Sequence, residues 1–300
     1  MTTRTSDLLF TAIAPAIWGS TYIATTQLLP NFTPMTVAVL RALPAGLLLL
    51  LIVRQLPKGI WWLRILILGA INFSIFLSML FVAVYRLPGG VAATVGAVQP
   101  LIVIFVAAAL LGSAIRPMSV MATVVGIAGV ALLVLAPNAA LDLVGVAAGL
   151  TGAVSMAFGT VLTRKWQPPV SLLTFTAWQL TAGGLLLVPI ALLFEPTMPM
   201  PTGANVLGLV WLSVIGAAVA YILWFRGIAR IDPAMVSLLG FLTPGTAVLL
   251  GWLILDQTLT ALQMFGFLLA VASIWLGQRA SRRPESSSER GNSVTMPTRH

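Results

Sequence analysis

"YRLPGGVAATVGAVQP" (residues 85–100) and "ARIDPAMVSLLGFLTP" (229–244) stand 144 residues apart in this chain. At that fixed offset Arg86 meets Arg230, Gly96 meets Gly240 and Pro100 meets Pro244, and the apolar runs on either side stay in phase without a gap. Two further matches follow the same order. "RALPAGLLLLLI" (41–52) pairs with "QLTAGGLLLVPI" (179–190) at offset 138, and "WGSTYI" (18–23) with "FGTVLT" (158–163) at offset 140. Each match is weak alone. Their common order makes the chain one unit written twice.

Composition says what kind of unit. Of 300 residues, 59% are hydrophobic and 8% charged, where a soluble domain carries about a quarter charged. The chain is therefore an integral membrane protein. Apolar runs of about 20 residues, enough to cross the hydrocarbon as helix, lie near 8–28, 35–53, 63–85, 90–111, 118–136, 143–163, 171–193, 206–225, 235–255 and 261–278. The expected fold is all-α, with ten transmembrane helices. The connectors leave no room for an extramembrane domain. The first run, preceded by Arg4, has an internal partner and is read as a helix rather than a signal peptide.

Charge sets the orientation. The net charge of +9 does not point to nucleic acid, because the basic residues sit in connectors and the tail rather than on one face. Fourteen of the sixteen fall on the side of both termini: Arg4, Arg54, Lys58, Arg64, Arg116, Arg164, Lys165, Arg226, Arg230, Arg279, Arg282, Arg283, Arg290 and Arg299. The opposite connectors hold only Arg86, with Asp142, Glu195 and Asp256. By the positive-inside rule both termini are cytosolic. The predicted divisions are a first five-helix repeat at 1–140, a second at 141–279, and a disordered basic cytosolic tail at 280–300, polar and without apolar period. Because five is odd, the second copy enters from the other side. The two repeats are then inverted about a central cavity, the arrangement that places a transporter's substrate site at the midplane.

Two fused five-helix units, "WGSTYIA" in the first helix, "LRALPAGLLLL" in the second and a proline in the fourth and ninth together resemble the drug/metabolite transporter superfamily. Within it the chain is similar to the EamA-type ten-helix exporters. Where many members carry an acidic residue in "lgErlt", this chain has Ser113 in "LGSAIR" and Gln257 in "LDQTLT". In that it is similar to the aromatic amino acid exporter branch. The resemblance implies export of small metabolites, amino acids above all, across the inner membrane by alternating access, with a monomer sufficient for transport. A drug or other-metabolite exporter and an uncoupled facilitator share the same architecture.

The residues themselves narrow the chemistry. Cysteine is absent, the one histidine is His300, and no Asp, Glu, His, Lys or Cys lies in the interior of a span. A membrane-embedded enzyme needs an acid, a base or a metal, so no catalytic residue, metal or cofactor is expected, and no proton relay through a buried carboxylate. Pro100 and Pro244 are expected about ten residues into their helices, as hinges. Each would free the carbonyl four residues back, at Gly96 and Gly240, beside the polar Gln99 and Thr243. Other polar or aromatic residues at similar depth are Trp18, Tyr22, Asn72, Ser78, Ser155, Trp178 and Tyr221. Interhelical packing alone accounts for many such residues; the alternative is that they line the cavity.

One residue stands apart. Arg41 is the sixteenth basic residue, inside the second span, and it aligns with Gln179 in the seventh. An arginine at a span's centre costs about 2.5–3.5 kcal/mol on insertion scales. It can snorkel to the headgroups, brace loose carbonyls, or form a positive end of the cavity for a substrate carboxylate. The topology is testable because the chain lacks cysteine. Single cysteines at Asn138 and Thr197 should react with an impermeant thiol reagent outside intact cells, and one at Gly59 should not. The reverse pattern inverts the orientation.

Overall fold

The computed structural model describes residues 3–86, 95–134, 142–255 and 260–280; the predicted tail beyond 280 lies outside them. Among the described residues there is no strand, only ten helical segments joined by short connectors. They are α1 (Thr3–Leu28), α2 (Pro34–Val53), α3 (61–86), α4 (Gln99–Leu111), α5 (Pro117–Val134), α6 (Leu143–Lys165), α7 (Leu172–Phe194), α8 (Gly203–Arg230), α9 (Pro233–Leu255) and α10 (Ala261–Ala280). Eight of these are long and apolar enough to cross a membrane, and α4 and α5 are shorter apolar helices. Their starts follow local rules. Proline opens α2, α5 and α9, where its missing N–H costs nothing. Asp142 caps α6 by accepting from Gly145 N (2.7 Å), and Ser171 caps α7 by accepting from Thr174 N (3.1 Å). Side chains such as Leu51, Leu192 and Phe194 stay more than 70% exposed, as a lipid-facing surface requires.

The helix pairs repeat. Helix α2 packs on α7 and α5 on α10; α3 lies against α6 as α8 lies against α1; α4 against α6 as α9 against α1; and α3 against α7 as α8 against α2. Exchanging the first five helices for the last five turns this pattern into itself. The α2–α7 crossing shows the exchange residue by residue. A Cβ added at Gly46 would stand 2.7 Å from Thr181 Oγ1, and one at Gly184 would stand 2.7 Å from Leu43 Cα. At the sequence offset of 138, Gly46 is Gly184 and Leu43 is Thr181. One contact is therefore the copy of the other, and the two helices run antiparallel. Only glycine lets the backbones approach this closely.

The same pair is tied at both ends. At the end opposite the termini, the Glu195 carboxylate accepts from Met35 N (2.6 Å), Thr36 N (2.7 Å) and the hydroxyls of Thr33 (2.6 Å) and Thr36 (2.9 Å). From just past the end of α7 it thus caps the N-terminus of α2, where a negative charge is favoured. Nearby, Arg86 pairs with Asp142 at 3.5 Å, and Asn205 donates to Leu28 O at 2.6 Å. At the other end, Trp178 Nε1 of α7 donates to Gln55 O, just past α2 (2.6 Å).

The two prolines correct an expectation. Pro100 does not lie ten residues into a described helix: it is the second residue of α4, after a turn at Ala97 and Val98. Residues 87–94 of that predicted span fall outside the description. Helix α9 is broken at Gly240 and Phe241, and Pro244 is the third residue of its second piece, Leu242–Leu255. Proline is tolerated in a first turn, so each helix restarts at its proline instead of bending around it. The Gly240 carbonyl, expected to be free, accepts from Thr243 N at 3.0 Å.

Because backbone stands on the far side of both α2–α7 glycines, Gly46→Val and Gly184→Val should each lower thermal stability in detergent by about 1–3 kcal/mol or more. Gly203→Ala, which meets open space, should change it little. Equal stability of all three proteins would sink the claim that this crossing is close-packed.

Candidate functional site

Helices α3 and α8 share a feature that apolar periodicity does not encode. Each contains a π-helical segment, Ala70–Ile75 in α3 and Trp211–Val219 in α8. A π segment inserts one residue into a turn and takes carbonyls away from their usual partners. In a membrane those carbonyls need donors from elsewhere. In α3, Ser155 Oγ of α6 donates to Ile71 O (2.7 Å). In α8, Gly216 O receives two donors, Trp18 Nε1 of α1 (2.9 Å) and Arg41 Nη2 of α2 (3.2 Å).

Arg41 and its repeat partner therefore play matching parts. Arg41 reaches from the first half to the π segment of the second. Gln179 reaches from the second half to the π segment of the first, where its Oε1 accepts from Asn72 Nδ2 (2.8 Å). Asn72 also donates to Thr163 Oγ1 (3.1 Å) and packs against Gly159. The electrostatics of the two clusters differ. Asn72 and Gln179 are neutral, whereas Arg41 is a buried cation, 7% exposed, and no carboxylate pairs with it among the described residues. Its one described hydrogen bond goes to a carbonyl, and its Nε has no partner.

An aromatic cluster adjoins Arg41. Trp18 lies 5.0 Å from Tyr221 and 5.1 Å from Trp224, ring centre to ring centre, and Phe73 lies 4.6 Å from Tyr221. Phe225 extends the group toward Phe175 of α7. Buried polar atoms without partners occur in both groups: Trp224 Nε1 among the rings, and Asn72 Oδ1 and Gln179 Nε2 at the other π segment. Unpaired polar atoms in low dielectric are costly. A site that keeps such atoms together with aromatic faces can take an amphipathic molecule that brings both ring and hydrogen-bonding groups.

Sequence-predicted residues thus divide. Trp18, Arg41 and Tyr221 come together around Gly216 O, and Asn72, Ser155 and Gln179 gather at the other π segment. Trp178 does not join either group: it packs with Ile65, Leu68 and Phe175 and bonds to the α2–α3 connector. Thr243 Oγ1 donates to Pro15 O of α1 at 3.1 Å. Gly96 is exposed, and Ser78 and Gln99 are enclosed but unbonded. The side chain of Tyr22 lies outside the description. Sequence reading missed Gly216, Phe73, Trp224, Phe225 and Thr163. The signal for two of the missed aromatics was present, since Trp224 and Phe225 share one helix face with Tyr221 at the i, i+3, i+4 spacing.

A cavity of 970 Å³ opens at the end of the bundle that carries the termini. It lies between the ends of α1, α4, α6 and α8 and the start of α9, and none of the predicted site residues is among its described lining.

The EamA-like transporter family matches this chain twice, over residues 5–135 and 143–277. Protein PecM of Dickeya dadantii is 43% identical over 274 residues, 91% of this chain and 92% of that protein. The uncharacterized inner membrane transporter YedA of Escherichia coli K12 is 28% identical, covering 87% of this chain and 88% of its own length. One solved crystal structure, 22% identical, superposes with a TM-score of 0.79 over 93% of this chain and 99% of its own, which establishes the fold.

The geometry separates a structural from a functional Arg41. Arg41→Met removes an unpaired buried charge while Trp18 still donates to Gly216 O. Its melting temperature in detergent should match or exceed that of the parent. Adding Trp18→Phe strips the last described donor from that carbonyl and should lower stability by about 1–3 kcal/mol. A large loss of stability in Arg41→Met alone would make Arg41 a brace and nothing more.

Proposed function

Because the chain belongs to the EamA-like transporter family, we propose that it exports small amphipathic metabolites, aromatic and other neutral amino acids first among them, from the cytosol by alternating access. The observation that carries this reading is Arg41: a buried cation without a described carboxylate partner, held on the same carbonyl as Trp18, whose ring packs against Tyr221 and Trp224. A substrate carboxylate would complete the charge that the protein leaves open. An aromatic or apolar body would lie against the rings, and an ammonium group would meet acceptors such as Asn72 Oδ1.

The division into two inverted repeats, 1–140 and 141–279, fits this function. It puts Arg41 and Gln179 on opposite sides of one pseudo-two-fold axis, so that each half presents one polar arm to the π segment of the other. Both termini are read as cytosolic, in a bacterial inner membrane. The cavity then faces the cytosol, and the Glu195 cap lies on the far side. An uncoupled facilitator is the second reading. Among the described residues no carboxylate lies in a span interior, Asp7 and Glu195 standing near helix ends.

Vesicles of purified protein preloaded with labelled phenylalanine, leucine and a sugar decide the substrate class. Phenylalanine should leave fastest. Release of the sugar without either amino acid would overturn the assignment. Arg41→Gln should slow phenylalanine release roughly ten- to a hundredfold, because a charge-assisted hydrogen bond contributes roughly 1.5–3 kcal/mol. It should affect phenylalaninamide much less. Equal slowing of acid and amide would remove the carboxylate from the model of binding.

A further inference from the structure

The cavity at the terminus-bearing end holds chemistry that the central cluster does not use. Four cationic side chains line it (Arg116, Arg164, Lys165 and Arg230) against two carboxylates, Asp7 and Asp232. Both carboxylates are already engaged. Asp7 Oδ1 accepts from Arg226 Nη2 (2.8 Å) and Arg230 Nη1 (3.2 Å). Asp232 Oδ1 accepts from Ala234 N (2.9 Å) as the cap of α9. The other cations find no carboxylate among the described residues. Arg116 Nη1 donates to Ala280 O (2.7 Å), and Arg164 Nη1 donates to the carbonyls of Ile228 (3.2 Å) and Ala229. Lys165 is exposed and makes no described hydrogen bond or ion pair.

Carbonyl bonds place these groups without neutralising them. Arg116 and Arg164 are held over the C-termini of α10 and α8, where positive charge is favoured, yet each keeps its full charge beside the cavity. The remaining wall includes the apolar Leu110, Leu111 and Ile231. A cleft with one excess sign and low-dielectric walls concentrates the field and raises the local concentration of the opposite ion. Its volume of 970 Å³ accommodates a small organic molecule.

We propose that this cavity is a binding site for an amphipathic organic anion, with a carboxylate or phosphate head held by Arg116, Arg164 and Lys165 and an apolar body against Leu110 and Leu111. The head can come from a free metabolite or from an anionic lipid. The inference rests on the transporter reading only in treating this end as the cytosolic entrance. Binding here does not require that transport of any amino acid be detected.

The full-length protein in phosphatidylcholine nanodiscs supplies the test, with labelled 3-phenylpropionate and its amide as probes. The acid should bind about tenfold more tightly than the amide, the size expected when several partly hydrated charges each contribute weakly. Raising the salt concentration should erode that preference. The preference should persist in Arg41→Gln, which removes the central charge. In that background it should survive the charge-keeping pair Arg116→Lys/Lys165→Arg and disappear when Arg116→Gln/Lys165→Gln is added. If it vanishes in Arg41→Gln and survives Arg116→Gln/Lys165→Gln, the anion binds only in the centre and the proposal is overturned. Equal binding of acid and amide by the parent protein also overturns it. Repeating the measurement with phosphatidylglycerol in the discs identifies the source: weakened acid binding assigns the site to the lipid headgroup, unchanged binding to the free metabolite. If vesicles release no amino acid while the acid preference holds, the substrate assignment fails and this site stands.

Discussion

A carbonyl released inside a bilayer has no water to turn to, and Gly216 O is such a carbonyl. The π segment of α8 draws Trp18 from α1 and Arg41 from α2 onto one oxygen, and so fixes three helices about a single acceptor. The two donors differ in kind. An indole satisfies the carbonyl and adds no charge. A guanidinium does the same and leaves a positive charge without a described counter-ion. That leftover charge is what the proposed substrate carboxylate would answer. At the matching place in the other half the arm is Gln179 and the π segment is answered by Asn72 and Ser155, so the same scaffold is there electrically quiet.

Much of this was legible in the sequence. The offset of 138 that aligned Arg41 with Gln179 also aligns the glycines that seal α2 against α7, and the contact pattern returns to itself under the same exchange. Arg41 was conspicuous because charge is rare in a span. The prolines misled, because apolarity continues smoothly across Gly96–Pro100 and Gly240–Pro244 and hides the chain's restart at each proline. The π segments were invisible for a related reason: one extra residue in a uniformly apolar helix disturbs no periodicity. Their trace lay in polar residues within them, Asn72 and Ser74 in the first and Ser213 in the second. Trp178 was selected by depth alone, and depth does not say which face a side chain occupies.

The basic residues at the terminus-bearing end served the sequence reading only as a marker of orientation. In three dimensions they have local work as well. Arg116 and Arg164 sit on the last carbonyls of α10 and α8, and Arg226 and Arg230 share Asp7. The rule that places cations on one side of a membrane thus also closes helix ends and charges the rim of a cavity. One distribution of arginine and lysine meets all three needs.

The α2–α7 pair is bound at one end by Glu195, at the other by Trp178 and Gln55, and pressed together between them at two glycines. A pair held at three levels along its length resists sliding, splaying and twisting alike. In the proposed alternating access this pair is the axle. The other helices turn about a fixed line, with joints at the two places where the chain interrupts itself, before α4 and within α9, and the space on one side of the axle narrows as the space on the other widens.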